Sequence, residues 1–346
     1  MDFTRDETQQ AVAQVASGLL ARDLEPDALW AAFADADLLT LALPERLGGE
    51  GLSVTDVGAL LTEVGRKAAE VPALATLGFG VLPIVALGDE RQQDALLGGV
   101  AEGRTFTAAL AEPGAQFPES PSTVATQSGG GFAVTGRSVA VPFADKAHRI
   151  LVPTDAGVVL ADPNADGVTL TPTPSSSGAP EFSVTFADAP GELLAAGPDA
   201  VATLYRIALA SIGAVADGLL SGATALAAEH LATRHQFGKP LASFQAVAQQ
   251  IADVYVTSRT LHVSALAASW RVSQGLDAGD DLDVMAYWIA TEIPAAMQVL
   301  HHLHGGLGVD VTYPLHRYYS TAKDLARLVG GAAYRLDLVG ARCSSI

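Results

Sequence analysis

The sequence RHQFGKPL at residues 234–241, followed by FQ at residues 244–245, decides how the second half of this chain folds. It ends a long Ala/Leu-rich helical pattern, makes a turn through Gly238 and Pro240, and leads into a helical pattern that already contains Gln245. The stretch therefore predicts a corner between two helices. A guanidinium at Arg234 and amide side chains suit a planar cofactor with a diphosphate, because the guanidinium is a forked donor for phosphate oxygens. The alternative interpretation is a helical hairpin with solvated polar residues.

A glycine-rich segment later in the chain is a second signal. Residues 302–308 read HLHGGLG after an apolar helical pattern, and residues 313–319 read YPLHRYY. Two adjacent glycines let a ligand approach the backbone closely, since no Cβ stands in the way. We therefore expect the backbone at Gly305 and Gly306 to approach a ligand.

Together the two segments, in this order, resemble the C-terminal helical domain of the acyl-CoA dehydrogenases. PERLGGEGL at residues 44–52 resembles the early P-E-x-x-G-G-x-G turn of that family, and LAEPGA at residues 110–115 resembles its T-E-P-G-A segment. The resemblance covers nearly the whole chain. More narrowly, the short length and the sequence HHLHGGLGVDVTYPLHRYYS at residues 301–320 are similar to the smaller subunit of heteromeric acyl-CoA dehydrogenases that shorten steroid side chains.

The pattern of apolar residues divides the chain into three parts. Spacings of three and four predict a helical domain in residues 1–104, including a helix over Glu7–Leu20. Short β-prone runs between Gly, Pro and Ser clusters predict an antiparallel β-barrel in residues 105–192. Long Ala/Leu segments predict a four-helix bundle in residues 193–346, whose last helix is expected to span Thr321–Val339. The resemblance implies the same α+β order of domains.

The composition excludes several classes of function. A formal net charge of −18 leaves no basic stripe for nucleic acid. The one cysteine, Cys343, provides neither a disulfide framework nor a Cys-based metal site. The N-terminal sequence has the wrong charge for a signal peptide, and no unbroken apolar run reaches membrane-spanning length. We therefore expect a cytoplasmic protein without a membrane or nucleic-acid partner.

The resemblance implies an FAD cofactor that lies across a subunit interface. In the family, the R-x-x-F-G, F-Q and G-G elements reach the flavin from the neighbouring chain. The residues at those positions here are Arg234, Gln236, Phe237, Gln245, His302, Gly305 and Gly306. His302 stands where a glutamine is usual, and its ring still offers one donor or acceptor.

The resemblance also implies that groups of the chain's own active site are missing. Alignment of residues 317–323 with the family's R-Y-Y-R-D-A-K helix places Val329 at the position of the glutamate that removes the substrate α-proton. A valine accepts no proton. Val139 and Val141 stand where the family has an aromatic and a hydroxyl residue beside the flavin ring, and residues 116–118 read QFP in place of the usual G-S-D.

A chain that keeps the donated part of a shared site and lacks its own part is predicted to be a non-catalytic subunit. The resemblance then implies an α2β2 heterotetramer with a homologous catalytic subunit, a steroid side-chain acyl-CoA as substrate, and electron-transfer flavoprotein as the electron acceptor. A self-sufficient homomeric dehydrogenase with Asp217 or Glu229 as a displaced base is one alternative. A flavin-free scaffold protein on the same fold is another.

The histidines near the glycine-rich segment allow a further interpretation. His301 and His304 are three residues apart and could share a helix face, with His316 as a third metal ligand. Asp310 is the nearest carboxylate, and a defined fourth ligand with supporting groups is missing. The sequence therefore favours a flavin-facing or interface role for these histidines over a metal site.

Overall fold

The computed structural model describes residues 3–344, and in the last helix it describes side chains as far as Arg342. Residues 1–2 and 345–346, which end the predicted first and third domains, lie outside the described residues, as does the side chain of Cys343. Helices, then strands, then helices follow one another along the chain. This order confirms the predicted α+β fold class.

The N-terminal part is helical. Its elements are α1 (Glu7–Leu20), α2 (Pro26–Asp35), α3 (Val54–Arg66), a π-helical segment (Leu74–Val81) that continues into α4 (Leu82–Leu87), and α5 (Glu90–Leu97). The predicted bounds of α1 are confirmed, and a capping box explains its start. The Asp6 carboxylate accepts from the Gln9 backbone N–H at 2.8 Å, and the Gln9 side chain accepts from the Asp6 N–H at 3.4 Å.

The middle part contains a seven-stranded sheet within the described residues. The strands of this part are β1 (Thr105–Ala108), β2 (Ala111–Glu112), β3 (Ala115–Gln116), β4 (Val124–Ser128), β5 (Gly131–Pro142), β6 (Ala147–Thr154), β7 (Gly157–Ala161), β8 (Val168–Pro172) and β9 (Glu181–Ala196). The order in the sheet is β1-β6-β7-β9-β5-β4, with β8 beside β9, while β2 and β3 pair only with each other. β1 and β6 run parallel and the other neighbours antiparallel. β9 continues past residue 192, and the domain boundaries stay predictions.

The C-terminal part is a helical bundle. Its helices are α6 (Pro198–Thr233), α7 (Gln245–Ser273), α8 (Gly279–His304), α9 (Leu315–Leu328) and α10 (Gly331–Ser344). α3 and α6 touch backbone to backbone, because a Cβ on Gly218 would overlap the Thr62 carbonyl oxygen. Among residues 3–344, α6 is the one helix long and apolar enough to cross a membrane, and 89% of its most apolar window is buried inside the protein.

The prediction of one last helix over Thr321–Val339 is wrong. α9 ends at Leu328 and α10 begins at Gly331. The φ angles of Gly330 and Gly331 are +96° and +79°, which an α-helix does not contain and which glycine adopts easily. The break places Val329 in a tight turn between two helices.

Candidate cofactor site

A cleft of about 830 Å³ opens where the end of α6 meets the end of α8. Five of the predicted cofactor residues line it: Arg234, Gln236, His302, Gly305 and Gly306. The two sequence motifs therefore meet in one place. The other two predicted residues, Phe237 and Gln245, lie outside the lining, in the turn after α6 and at the first position of α7.

Arg234 ends α6 with a fixed backbone and a free side chain. Its N–H donates to the His230 carbonyl, and its own carbonyl accepts from the Leu241 N–H, both at 2.9 Å. The side chain is exposed, and no residue of the described chain forms a hydrogen bond or ion pair with its guanidinium. All of its donors are therefore available to an anion in the cleft.

The turn after α6 carries an exposed aromatic ring. β10 (His235–Gln236) and β11 (Lys239–Pro240) form a two-residue hairpin, in which Phe237 and Gly238 have φ angles of +52° and +77°. Two left-handed residues suit the twist of a hairpin, although phenylalanine is strained in that conformation. The Phe237 side chain is 92% exposed. Next to it, α7 begins at Gln245 without a side-chain cap, so its first backbone N–H groups are open to an anion.

The glycine-rich segment presents bare backbone to the cleft. Gly305 has φ +60° and ψ −139°, a conformation that is nearly restricted to glycine. A Cβ added to Gly305 or Gly306 would meet no atom within 4 Å. The space beside both residues is open, which leaves room for the ligand that the sequence analysis expects there. His302 is also exposed there.

A pair of stacked histidines lines the same cleft and was missed by the sequence analysis. The rings of His230 and His304 lie 4.5 Å apart at 17°. The His304 Nδ1–H donates to the Leu300 carbonyl at 2.7 Å, and Nε2 accepts from the Tyr313 hydroxyl at 3.1 Å. Burial lowers the pKa of His304, and burial followed by the nearby charge of Arg234 lowers the pKa of His230. The position of His230, one helical turn before Arg234, was the available sequence signal.

Two histidines of the metal-site interpretation contact the backbone of the chain itself. The Nδ1 atoms of His301 and His316 lie 3.2 and 2.8 Å from the backbone carbonyls of Met297 and Tyr313. In the part of the chain that the structure describes, no group of three or more His, Cys, Asp or Glu residues is arranged to hold a metal ion.

Val329, the residue that the resemblance assigns to the base position, lies in the core. It is 0% exposed, and its N–H donates to the Leu325 carbonyl at 3.0 Å. Its carbonyl accepts from Nε of Arg335 at 2.6 Å, and Nη1 of Arg335 contacts Asp283 at 3.1 Å. Arg335 is 2% exposed, and sequence reasoning did not find it.

Phe117 packs against the same part of the core. Its ring meets the edge of Tyr205 at 5.3 Å between centroids, and the Arg335 guanidinium lies 5.4 Å from it. The segment that carries Phe117 is held by Glu112, whose carboxylate accepts from the N–H and hydroxyl groups of Ser122 and Thr123 at 2.7–2.8 Å. Burial alone would raise the pKa of Glu112, but these four hydrogen bonds lower it overall.

The end of β5, which the resemblance places beside a flavin ring, borders a cavity of about 150 Å³. Ala140 and Pro142 line this cavity together with Leu328 of α9. Val141 is buried in the core of the sheet instead. A β-bulge explains why Val141 faces the core while Ala140 and Pro142 line the cavity. The pairing of β5 with β9 changes register between Ser138 and Val141, and Ala140 has a φ angle of +56°.

Residues 1–104 match the sequence model of the family described as "Acyl-CoA dehydrogenase, N-terminal domain", and residues 201–343 match "Acyl-CoA dehydrogenase, C-terminal domain". Together the two matches span most of the chain. The chain belongs to the acyl-CoA dehydrogenase family. The predicted resemblance is confirmed.

Individual acyl-CoA dehydrogenases extend this finding. The chain is 50% identical to the acyl-CoA dehydrogenase FadE28 of Mycobacterium tuberculosis, over 99% of both chains. Its fold matches a Tcur3481–Tcur3483 steroid ACAD variant with a TM-score of 0.92 and 32% identity, over 98% of both chains. It also matches the ChsE4–ChsE5 complex from Mycobacterium tuberculosis with a TM-score of 0.91 and 29% identity, over 100% of both chains.

Two carboxylates were alternative bases for an acyl-CoA dehydrogenase of this sequence. Asp217 lies 2.9 Å from Nδ1 of His262 and is 5% exposed, in a small separate pocket between α6, α7 and the N-terminal helices. Val215, two residues earlier, lines the cavity beside β5, whereas Asp217 does not. Glu229 is exposed near the end of α6. Neither carboxylate lines the cavity beside β5.

The cleft has the donors that FAD, the cofactor typical of acyl-CoA dehydrogenases, requires at its diphosphate. Arg234 offers an unpaired guanidinium inside the cleft, and the start of α7, outside the cleft lining, has uncapped N–H groups. Gly305 and Gly306 leave room for a close approach. These residues therefore fit the phosphate-bearing end of the cofactor.

Proposed function

We propose that this chain is the non-catalytic subunit of a heteromeric FAD-dependent acyl-CoA dehydrogenase, in which it completes the FAD site of a homologous catalytic subunit. The observation that carries the proposal is the contrast between two regions. The cleft beside Arg234 is open, with about 830 Å³ of space, whereas the chain's own ring-side cavity holds about 150 Å³. A cavity of about 150 Å³ accommodates a group the size of benzene, which is smaller than a flavin ring system.

The reaction forms an α,β double bond in an acyl-CoA thioester. A carboxylate removes the α-proton, and bound FAD supplies the acceptor for the β-hydride. In this proposal the carboxylate comes from the partner, because Val329 cannot accept a proton and is enclosed between α9 and α10. Electron-transfer flavoprotein would be the electron acceptor of such a complex.

The residues of this chain bind and orient the cofactor of the partner. Arg234 binds the diphosphate, and the backbone of Gly305 and Gly306 lets the cofactor lie close to the end of α8. Gln236 and His302 provide hydrogen bonds in the cleft, while Phe237 and Gln245 reach the partner from the hairpin and the start of α7. The exposed aromatic ring of Phe237 at the hairpin tip supports this role. A phenylalanine that is both strained and solvent-exposed is unusual on a surface that no partner covers.

The substrate that we propose is a steroid side-chain CoA ester. The support is the likeness to a structure described as a steroid ACAD, at 32% identity. An α2β2 arrangement with the catalytic subunit is part of the same proposal.

Flavin stoichiometry tests the proposal. The chain purified alone should retain no FAD, and its complex with a co-expressed homologous subunit should hold about one FAD for each pair of unlike chains. Flavin absorbance against protein concentration measures the ratio. A yellow homomer with one FAD per chain would overturn the proposal and favour a self-sufficient dehydrogenase.

Removal of the partner's carboxylate should abolish dehydrogenation by the complex. Val329→Glu in this chain should not restore it, because a base without a seated flavin has no hydride acceptor beside it. Single-turnover reduction of the flavin by substrate measures both outcomes. Recovery of flavin reduction in Val329→Glu would show that this chain has a flavin site of its own.

A further inference from the structure

The cleft beside Arg234 concentrates basic side chains in an acidic protein. The formal net charge of the whole chain is −18. The lining of the cleft nevertheless includes one arginine and three histidines, and its one carboxylate among the described residues is that of Asp310. The Asp310 carboxylate accepts from the N–H and hydroxyl groups of Thr312 at 2.8 Å. The cleft therefore favours an anionic ligand over a cationic one.

The two stacked histidines of this cleft differ in how their ring nitrogens are used. Nδ1 of His304 lies 2.7 Å from the Leu300 carbonyl oxygen, which only accepts hydrogen bonds, so Nδ1 carries the proton. Nε2 then accepts from the Tyr313 hydroxyl at 3.1 Å. Both nitrogens of His304 are therefore engaged in the neutral form of the ring, and the residue is 6% exposed.

The His230 ring has no such partners. It stacks on His304 at 4.5 Å between centroids, and no residue of the described chain forms a hydrogen bond or ion pair with its nitrogens. The side chain is half-buried and lines the cleft. His230 precedes Arg234 by one turn of α6, so the two side chains are neighbours on the helix surface. An anion bound by the Arg234 guanidinium therefore lies within reach of the His230 ring.

The charge of His230 depends on its surroundings. Burial, and then the positive charge of Arg234, lower the pKa of His230, so the ring is mainly neutral at pH 7 when no anion is bound. A diphosphate beside both side chains would offset the charge of Arg234 and raise the pKa of His230. The other titratable groups in or beside the cleft are Glu229 on α6, His235 and Lys239 in the hairpin, His301, His302 and His304 on α8, Asp310 and Tyr313 after α8, and His316 on α9.

We propose that His230 is a second anion-binding group of the cleft, which takes up a proton from solvent when a diphosphate binds beside Arg234 and so tightens that binding at acidic pH. The identity of the ligand rests on the proposed function, whereas the proton uptake adds a control of its affinity by pH. His230 gains the proton because its nitrogens have no other partner in the described chain, while both nitrogens of His304 are engaged. The imidazolium then donates a charge-assisted hydrogen bond to a phosphate oxygen.

Titration of the heteromeric complex with FAD at pH 6 and pH 8 tests this role of His230. The diphosphate of FAD is a diester whose charge is constant between these pH values, so a change in affinity reports the protein. The wild-type complex should bind FAD about three- to tenfold more tightly at pH 6, because a pKa that rises by one unit on binding is worth up to about tenfold. His230→Gln should remove this difference. His148→Gln in β6 is the matched control and should keep it, since burial and then Arg149 lower the pKa of His148 as well.

ADP-ribose, a diphosphate diester without a flavin ring, separates this test from the proposed function. Calorimetry of the chain alone, in buffers of different ionisation enthalpy near pH 6.5, should show proton uptake with ADP-ribose in the wild type and none in His230→Gln. His230→Phe replaces that variant if it does not fold. Proton uptake here together with a complex that holds no FAD would overturn the proposed function alone. Equal FAD affinity at both pH values, or an unchanged pH dependence in the folded His230 variant, would overturn the role of His230 alone.

Discussion

Phe117 and Phe237 have nearly the same backbone conformation and opposite environments. Their φ angles are +49° and +52°, yet Phe117 is 6% exposed and Phe237 is 92% exposed. Packing against Tyr205 and Arg335 offsets the strain at Phe117. The Phe237 ring lies 6.2 Å from Phe244 and is otherwise open to solvent. The same backbone strain is therefore offset by packing at Phe117 and is not offset by burial at Phe237.

The two regions differ in the same way at a larger scale. Around Val329 and Phe117, buried side chains fill the core, and the residual cavity beside β5 is small. Around Arg234 and Gly305, the cleft is larger, its glycines are uncovered and its guanidinium has no partner among the described residues. Substitutions in the two regions should therefore have different effects.

Truncation of the two phenylalanines should separate the regions most clearly. Phe117→Ala should lower the free energy of unfolding by about 3–5 kcal/mol, because it leaves a cavity between buried side chains. Phe237→Ala should change it by no more than about 0.5 kcal/mol. Urea unfolding of the chain alone measures both. Similar losses in the two variants would contradict the division.

Removal of the free guanidinium should affect the cofactor and leave the fold intact. Arg234→Ala should weaken FAD binding in the complex by about 2–4 kcal/mol, the range for losing a partly buried charged hydrogen bond. Arg206→Ala, at the other end of α6, is the matched control and should leave FAD binding unchanged. FAD titration by fluorescence measures the affinity, and far-UV circular dichroism checks the helices. Unaltered FAD binding in Arg234→Ala would favour the alternative interpretation, in which Arg234 is a solvated residue of a helical hairpin.

Glu112 should make the stability of the region around Phe117 sensitive to acid. Its folded pKa is lowered, so its stabilisation is present above the unfolded value of about 4.3 and is lost as the pH falls through the folded pKa. Glu112→Gln should cost about 1–3 kcal/mol at pH 7, since charged acceptors are replaced. The unfolding temperature of the variant should also fall less steeply than that of the wild type as the pH is lowered below 5. An unchanged acid profile would mean that the four hydrogen bonds are not maintained in solution.

The smallest effect is expected at the stacked histidines of the cleft. The pKa of His230 is lowered by burial and by Arg234, so the neutral stack stabilises the protein above about pH 6.5, and this contribution is lost as the pH falls through the folded pKa. His230→Phe keeps a ring on His304 but removes one titration. The fall in unfolding temperature between pH 7 and 5 should be smaller in the variant. A steeper fall would show that a charged His230 is favoured in the folded state.

Local sequence signals predicted much of the fold. The bounds of α1 follow from its apolar spacing of three and four, and the corner after α6 follows from Gly238 and Pro240. β8 carries a weak strand signal, because its sequence VTLTP contains a proline and the strand pairs only with β9 among the described residues. The break between α9 and α10 is encoded in Gly330 and Gly331, but an apolar spacing that continues across the pair concealed it.

The sequence by itself determined which chemical groups are present. Val329 in place of a base, Arg234 at a helix end and the pair Gly305–Gly306 are identities that no fold can change. Only the tertiary structure decided what those groups meet: Asp217 is engaged by His262, His230 stacks on His304, and Phe117 occupies space between Tyr205 and Arg335. These partners lie far apart along the chain, and their contacts depend on how whole helices and loops pack. Side-chain packing of this kind leaves no periodic signal in the sequence.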